Sequence, residues 1–332
     1  EHAMCRAVWT QLLCVVLSGL ATSCCALSHQ LSALASGKPA ASQAAQHPSA
    51  PVPSKGKLAV VISGLKSRLI LNSTLERVVR SSTRAGFQVD VYLSLVEAGD
   101  GHSFSSHGLP DPDLARLSPE ELKLFLHNAI AGAGAQLVHY ELSTSPEELA
   151  PLPEDRGFMY DYPPQTNPFG RNVLRRWKSS EALFNETLGR GYDFVLWERE
   201  DQYWLKPLWL FNFRGSADTV YAKNCLGWGG INDKSLLLGR VAAQHLMTAY
   251  SAFWLQDARL RSRNAEQFLK ELATSRGLLI KRVPYAMLPS TDATFALTER
   301  ISLQPPSLCI KGFYSCESEL PPGSPPFCPT GK

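Results

Sequence analysis

The stretch YDFVLWEREDQYW, residues 192 to 204, runs four apolar residues, Phe194 to Trp197, straight into four charged ones, Glu198, Arg199, Glu200 and Asp201. A second stretch, TVYAKNCLGWGGINDK at residues 219 to 234, has a strand-like start, Thr219 to Ala222, and ends in a Gly-rich turn and the polar pair Asn232 and Asp233. In an open α/β sheet, ligands sit outside the carboxyl ends of strands. Two strand ends of this kind within about thirty residues therefore mark a site. They also predict the fold class, because short apolar runs of this sort are buried strands.

Working outward, the same pattern recurs. KLAVVISG, Lys57 to Gly64, is a continuous apolar run ending in Ser-Gly, and VDVYLSL, Val89 to Leu95, is a second. Between them Leu75, Val78 and Val79 have helical spacing, closed by Gly86. Ser118-Pro119-Glu120-Glu121 opens another helix with an N-cap, Pro at N1 and acids in the first turn. A third strand is expected over Ala135 to Leu142. After a Pro-rich loop, Ser145 to Pro168, a helix is expected over Asn172 to Leu188. Helices over Leu236 to Leu255 and Ala265 to Arg276, and a strand over Leu278 to Val283, complete the pattern. The order is β-α-β-α-β-α-β-β-α-α-β, which predicts α/β, a mostly parallel open sheet flanked by helices in a single catalytic domain.

The start of the chain is different. Residues 7 to 27 carry no charge, follow Arg6, and have an apolar centre at Leu12 to Leu20. That layout predicts a signal peptide or signal-anchor over 1–27. Residues 28–56, rich in Ala, Ser and Pro, cannot bury a core and read as a stem or linker. The catalytic domain is expected over 57–300 and a Pro/Cys-rich tail over 301–332. Four of the eight cysteines, Cys225, Cys309, Cys316 and Cys328, fall in the folded part and tail. No zinc-like spacing joins them, so disulfides in an oxidising lumen are expected, with three pairings open. Two sequons, at Asn72 and Asn185, agree with that location. The expected place is the secretory pathway, as a Golgi-lumen type II membrane protein or a secreted one. Membrane contact is expected only through the N-terminal segment, if that segment is uncleaved.

Composition and motifs remove several functions. The net charge of +3 is too small to argue for nucleic acid. There is no GxxxxGK[ST], no GxSxG elbow and no HExxH. Gly132 and Gly134 end a helix instead of starting one, against a dinucleotide fold. The acidic strand end remains. Hard cations take carboxylate and phosphate oxygens together, so Glu198, Glu200 and Asp201 could hold a divalent cation, Mn or Mg, against a diphosphate. In extended backbone, residues two apart point the same way, pairing Glu198 with Glu200 and Arg199 with Asp201.

YDFVLWERED, GWGGINDK and AEQFLKELATSRGLLIKRVP, in that order, resemble a family of GT-A-like glycosyltransferases from algae, plants and bacterial surface-polysaccharide clusters. VVISGLKSR, with Gly64 and Arg68, is similar to that family's first strand and nucleotide-side loop. The resemblance covers about Lys57 to Arg300. It implies a Rossmann-related GT-A fold, a nucleotide-sugar donor and a glycan or glycoprotein acceptor. It places Gly64, Arg68, Arg199 and Asp201 at the donor phosphates, Asp201 where classical members hold a metal, with Glu200 beside it from the acidic strand end, and Asn232 and Asp233 by the sugar or acceptor as catalytic groups. WERED departs from a clean DxD motif, and Arg199 itself is suited to neutralise phosphate. Asp233 has a second reading, as N-cap of a helix near Ser235. A catalytically degenerate glycan- or nucleotide-binding relative is the alternative. A sulfotransferase-like enzyme is a weaker one, lacking the Gly/Thr/Ser-rich loop after the first strand.

Overall fold

A computed structural model describes residues 55–97, 109, 111–145, 148–149, 159–255, 262–297, 306–312, 315–317 and 319–329. The expected leader, nearly all of the stem, most of the loop over 99–113 and part of the loop over 145–168 lie outside the described residues.

The apolar runs become the central strands. They are β1 (Gly56–Leu65), β2 (Phe87–Val96), β3 (Gln136–Ser143), β4 (Phe194–Arg199), β6 (Thr219–Lys223), β7 (Ser235–Gly239) and β8 (Leu279–Val283). They form one seven-stranded sheet in the order β3-β2-β1-β4-β7-β6-β8. β7 runs antiparallel to both of its neighbours, and every other pairing is parallel. The chain is therefore an α/β protein with a mostly parallel sheet flanked by helices, as the pattern of elements predicts.

Alternation along β1 shows why both faces are covered. Leu58, Val60 and Ile62 pack into a core with α1 (residues 71–84, widened to a π turn over Leu75–Val79) and α3 (Pro119–Gly132). α2 is the short turn Pro112–Ala115 that precedes α3. Ala59 and Val61 face the opposite core, against α4 (Pro168–Asn185), α5 (Arg240–Leu246), α6 (Ala249–Trp254) and α7 (Ala265–Ser275). Helix starts obey their local signals. Ser118 accepts from the Glu121 amide at 3.3 Å while Glu121 accepts from the Ser118 amide at 2.9 Å. α4 starts four residues earlier than expected, because Asn167 accepts from the Phe169 amide at 2.8 Å and Pro168 takes the first position.

One expected element is different. Leu236 to Leu255 is not a single helix: Ser235–Gly239 is β7, inserted between β4 and β6, and the helices α5 and α6 follow. This also removes the N-cap reading of Asp233, since no helix starts beside it. The reversal has a consequence for the site. Because β7 is antiparallel, its beginning lies beside the carboxyl end of β4, with Ser235 opposite Glu198. Asn232, Asp233 and Arg199 are thus brought to one end of the sheet although β4 and β6 are not neighbours.

A second, three-stranded antiparallel sheet, β10-β9-β5, backs that end. It comprises β5 (Gln202–Trp204), β9 (Ser290–Ala296) and β10 (Ser307–Ile310). The tail is tied in by the disulfides Cys225–Cys316 and Cys309–Cys328, which select one of the three open pairings. The first spans 91 residues, a loop whose closure contributes about 4–5 kcal/mol in the chain-entropy account. Among the described residues no helix is long and apolar enough to cross a membrane.

Candidate functional site

Four arginines, Arg68, Arg175, Arg176 and Arg199, line a cavity of about 520 Å³ at the carboxyl ends of β1 to β4. Its construction follows from register. Glu141 of β3 lies opposite Ser94 of β2, Ser94 opposite Ser63 of β1, and Ser63 opposite Arg199 of β4. Directly paired residues point to the same face of a sheet. A polar row therefore crosses four strands, with a carboxylate at one end, a guanidinium at the other and two hydroxyls between. Ser63 is pinned to α4 by a 2.6 Å hydrogen bond with Ser180, which also receives the Trp197 indole N–H at 2.9 Å. α4 thus covers the row at a fixed distance and contributes Arg175 and Arg176 as the opposite wall.

The charged turn after β4 supports the arginine end. Strand geometry stops at Arg199, so the alternation expected to pair Glu198 with Glu200 does not hold. Glu198 turns to the other face, where its Oε1 accepts from Trp204 Nε1 at 2.6 Å and from Thr74 at 3.1 Å. Burial pushes it up to about 8, and these hydrogen bonds hold it away from the cavity. Glu200 faces the cavity, with Arg68 Nε at 3.3 Å from its Oε1.

Asp201 lies behind them, 1% exposed. Its Oδ1 accepts from Arg199 Nε at 3.1 Å and its Oδ2 from Arg199 Nη2 at 3.0 Å. Arg68 also bonds Oδ2, and Lys311 of the tail lies 3.5 Å away. Burial alone would raise this carboxyl, but Arg199, Arg68, Lys311 and Lys234 hold it well below the usual carboxylate range. The expected pairing of Arg199 with Asp201 is present in the structure. Gly64 permits a close approach, because a methyl group on it would overlap the Glu200 carboxyl unless that side chain shifted.

Asp233 is engaged in the same manner. It forms an ion pair with Arg176, and Arg176 and Arg199 together lower it against the effect of burial. Asn232 is fully buried: its Nδ2 donates to the Cys225 carbonyl at 3.0 Å and its Oδ1 accepts from the Lys234 amide at 3.1 Å. It closes the Gly-rich turn. Neither residue lines the cavity, whereas Gly64, Arg68, Arg199 and Glu200 do. Asp201 and Asp233 each reach it through an arginine.

The donor set does not fit a divalent cation. Both Asp201 oxygens are taken by guanidinium groups, Glu200 is paired with Arg68, and a further ammonium lies at Lys311. A hard cation would have to displace or repel these charges. Among the described residues no group of three or more His, Cys, Asp or Glu side chains is placed to hold a metal ion.

Two residues that line the cavity, Arg176 and Tyr162, were not singled out for it, nor was Glu266, which is outside the lining and near Asp233. Arg176 stands on α4 three residues after Val173 and four before Ser180, a charge within the buried stripe. Tyr162 lines the cavity, and its hydroxyl accepts from the Ala265 amide at the start of α7 at 2.6 Å. Glu266, the next residue, is pushed up to about 7 by burial and then by the charge of Asp233. Its backbone carbonyl accepts from Ile231 at 3.0 Å, and Gly230 lies so close to it that a side chain there would overlap. This contact fixes α7 against the Asn232–Asp233 turn. Trp228, 45% exposed and at φ 45°, stands out from the same turn, its carbonyl held by Asn264 at 3.1 Å.

No protein-family model matches the chain, and no curated protein matches it. Among solved structures, the glycosyltransferase GlyE of Streptococcus pneumoniae TIGR4 aligns with a TM-score of 0.36 and 13% identity. The alignment covers 70% of this chain and 46% of that one, so this chain spans less than half the length of that protein.

Proposed function

We propose that the chain is a glycosyltransferase that moves a sugar from a nucleoside-diphosphate sugar to a glycan or glycoprotein acceptor in the lumen of the secretory pathway. The observation that carries this reading is the cavity at the strand ends, walled by Arg68, Arg175, Arg176 and Arg199. Arginine forks match paired phosphate oxygens. Buried carboxylates behind Arg68, Arg176 and Arg199 fix their aim, so little reorganisation is needed when charge develops on the diphosphate. The two disulfides fit an oxidising compartment.

In this reading the acceptor hydroxyl oxygen attacks the anomeric carbon of the donor and forms the new glycosidic bond. The bond from that carbon to the diphosphate oxygen breaks, and its electron pair leaves with the diphosphate, held by Arg199 and Arg68. Glu266 takes the hydroxyl proton and later returns it to water. It is better suited than Asp233, whose carboxylate is lowered and occupied by Arg176. Trp228 offers a ring face at the acceptor side.

The test is incubation of the chain with a panel of nucleotide sugars and glycan acceptors, with chelator present. Release of nucleoside diphosphate with transfer supports the reading. Binding of nucleotide without turnover favours the degenerate relative, and no binding or turnover with any donor overturns the proposal. A carboxylate base acts in its ionised form, so the transfer rate is expected to rise with pH through about 7. Glu266→Gln should lower the rate at least a hundredfold and remove that rise. A wild-type profile without the rise would take Glu266 out of this role.

A further inference from the structure

The two ends of the polar row differ in chemistry. Arg199 and the other arginines occupy the β4 end, whereas the β2 and β3 end carries Ser94, Val96, Glu141 and Ser143. Glu141 and Arg199 are three strand spacings apart in the order β3-β2-β1-β4, about 14 Å at about 4.8 Å per step. That is the span of a nucleoside diphosphate lying across the strand ends, with its phosphates on the arginines and its base over β2 and β3. Leu65 and Val96, apolar residues paired across β1 and β2, lie between and suit the flat face of a base.

The charge at the β3 end is unusual for a cavity otherwise suited to an anion. Glu200 is neutralised by Arg68. Glu141 has a hydroxyl for company, Ser143 Oγ at 3.4 Å from its Oε1, and among the described residues it makes no ion pair. A carboxylate that makes no ion pair can accept two parallel N–H bonds and repels carbonyl oxygens. Guanine presents two such donors side by side, N1–H and the N2 amino group. Uracil presents one N–H flanked by two carbonyl oxygens, and adenine and cytosine each set a donor beside an acceptor.

We propose that this cavity selects a guanine nucleotide, with the base edge donating to both oxygens of Glu141 while the diphosphate lies on Arg199 and Arg68. The proposal rests on the reading of the cavity as a nucleoside-diphosphate site, and adds the identity of the base. Ser94 and Ser143 flank Glu141 and are positioned to bond the same edge or the ribose.

The experiment is calorimetric titration of the full chain, in chelator, with GDP, IDP, UDP, ADP and inorganic pyrophosphate. GDP should bind most tightly. IDP, which keeps N1–H and lacks the amino group, should bind about tenfold more weakly, as expected for one lost hydrogen bond to a charged group. UDP and ADP should be weaker than IDP. Glu141→Gln should bring GDP and IDP within about twofold of each other while leaving pyrophosphate affinity and the unfolding midpoint unchanged. Nucleotides that bind equally well whatever the base, or a Glu141→Gln variant with the wild-type GDP to IDP ratio, would overturn this proposal and leave the donor site standing. If no nucleotide binds, both fail.

Discussion

An Asp201→Asn variant is expected to lose about 3–5 kcal/mol of stability, the scale seen when one member of a buried ion-pair cluster is removed. The reason is the number of cations that share this carboxylate. Arg68 and Arg199 bond it directly and Lys311 lies 3.5 Å away, in surroundings that leave Asp201 1% exposed. An amide keeps the shape and removes the charge, so three positive groups are left to repel one another. The wild type should also show an acid limb that the variant lacks. The folded carboxyl is held below its ordinary value, so its contribution is fully present above the unfolded pKa near 4 and is lost as pH falls through the lower folded one. Denaturant unfolding at neutral and acidic pH measures both effects. A variant within about 1 kcal/mol of the wild type would show that the cluster does not hold this strand end.

Arg199→Met is expected to act on the ligand instead of the fold. The methionine preserves the stem that fills the space beside Ser63, and Asp201 keeps Arg68 and Lys311 as partners. What is removed is the guanidinium at the end of the polar row. Loss of one preorganised donor to a developing charge costs about 10²–10³ in rate, and donor turnover should fall by that factor. Arg199→Lys should recover only part of it, because an ammonium supplies charge without the planar fork. The unfolding midpoint should move much less than in Asp201→Asn. A fully active Arg199→Met variant with wild-type affinity for nucleoside diphosphate would remove Arg199 from the phosphate site.

The central sheet was legible because its strands are short apolar runs with Gly, Pro or charge at their ends. Ser235–Gly239 was not. SLLLG flows into RVAAQHL with apolar residues at helical as well as strand spacing, and a run of five cannot be assigned by period. What makes it a strand is pairing with β4 and β6, a non-local fact. The small sheet was hidden for the same reason, since β5 has three residues and finds β9 almost ninety positions later.

The site was legible along the strands and obscure across them. Arg199 and Asp201 do pair, but through the turn at 200–201 and not by the extended alternation that suggested it. The turn beyond Arg199 breaks that alternation, which is why Glu198 and Glu200 part to opposite sides of the sheet. Nothing local marks Arg175 for the site; α4 crosses the strand ends and brings it into the cavity wall. The row from Glu141 to Arg199 needs the register of three separate strand pairs. No spacing within one segment contains it.

The most direct measurement is titration of the full chain with nucleoside diphosphates, first in chelator and then with Mn²⁺. The arginine wall and the engagement of Glu200, Asp201 and Asp233 by arginines predict saturable binding in chelator, little changed by Mn²⁺ and lost in Arg199→Met. Binding that appears only with Mn²⁺, or none under either condition, would contradict the account.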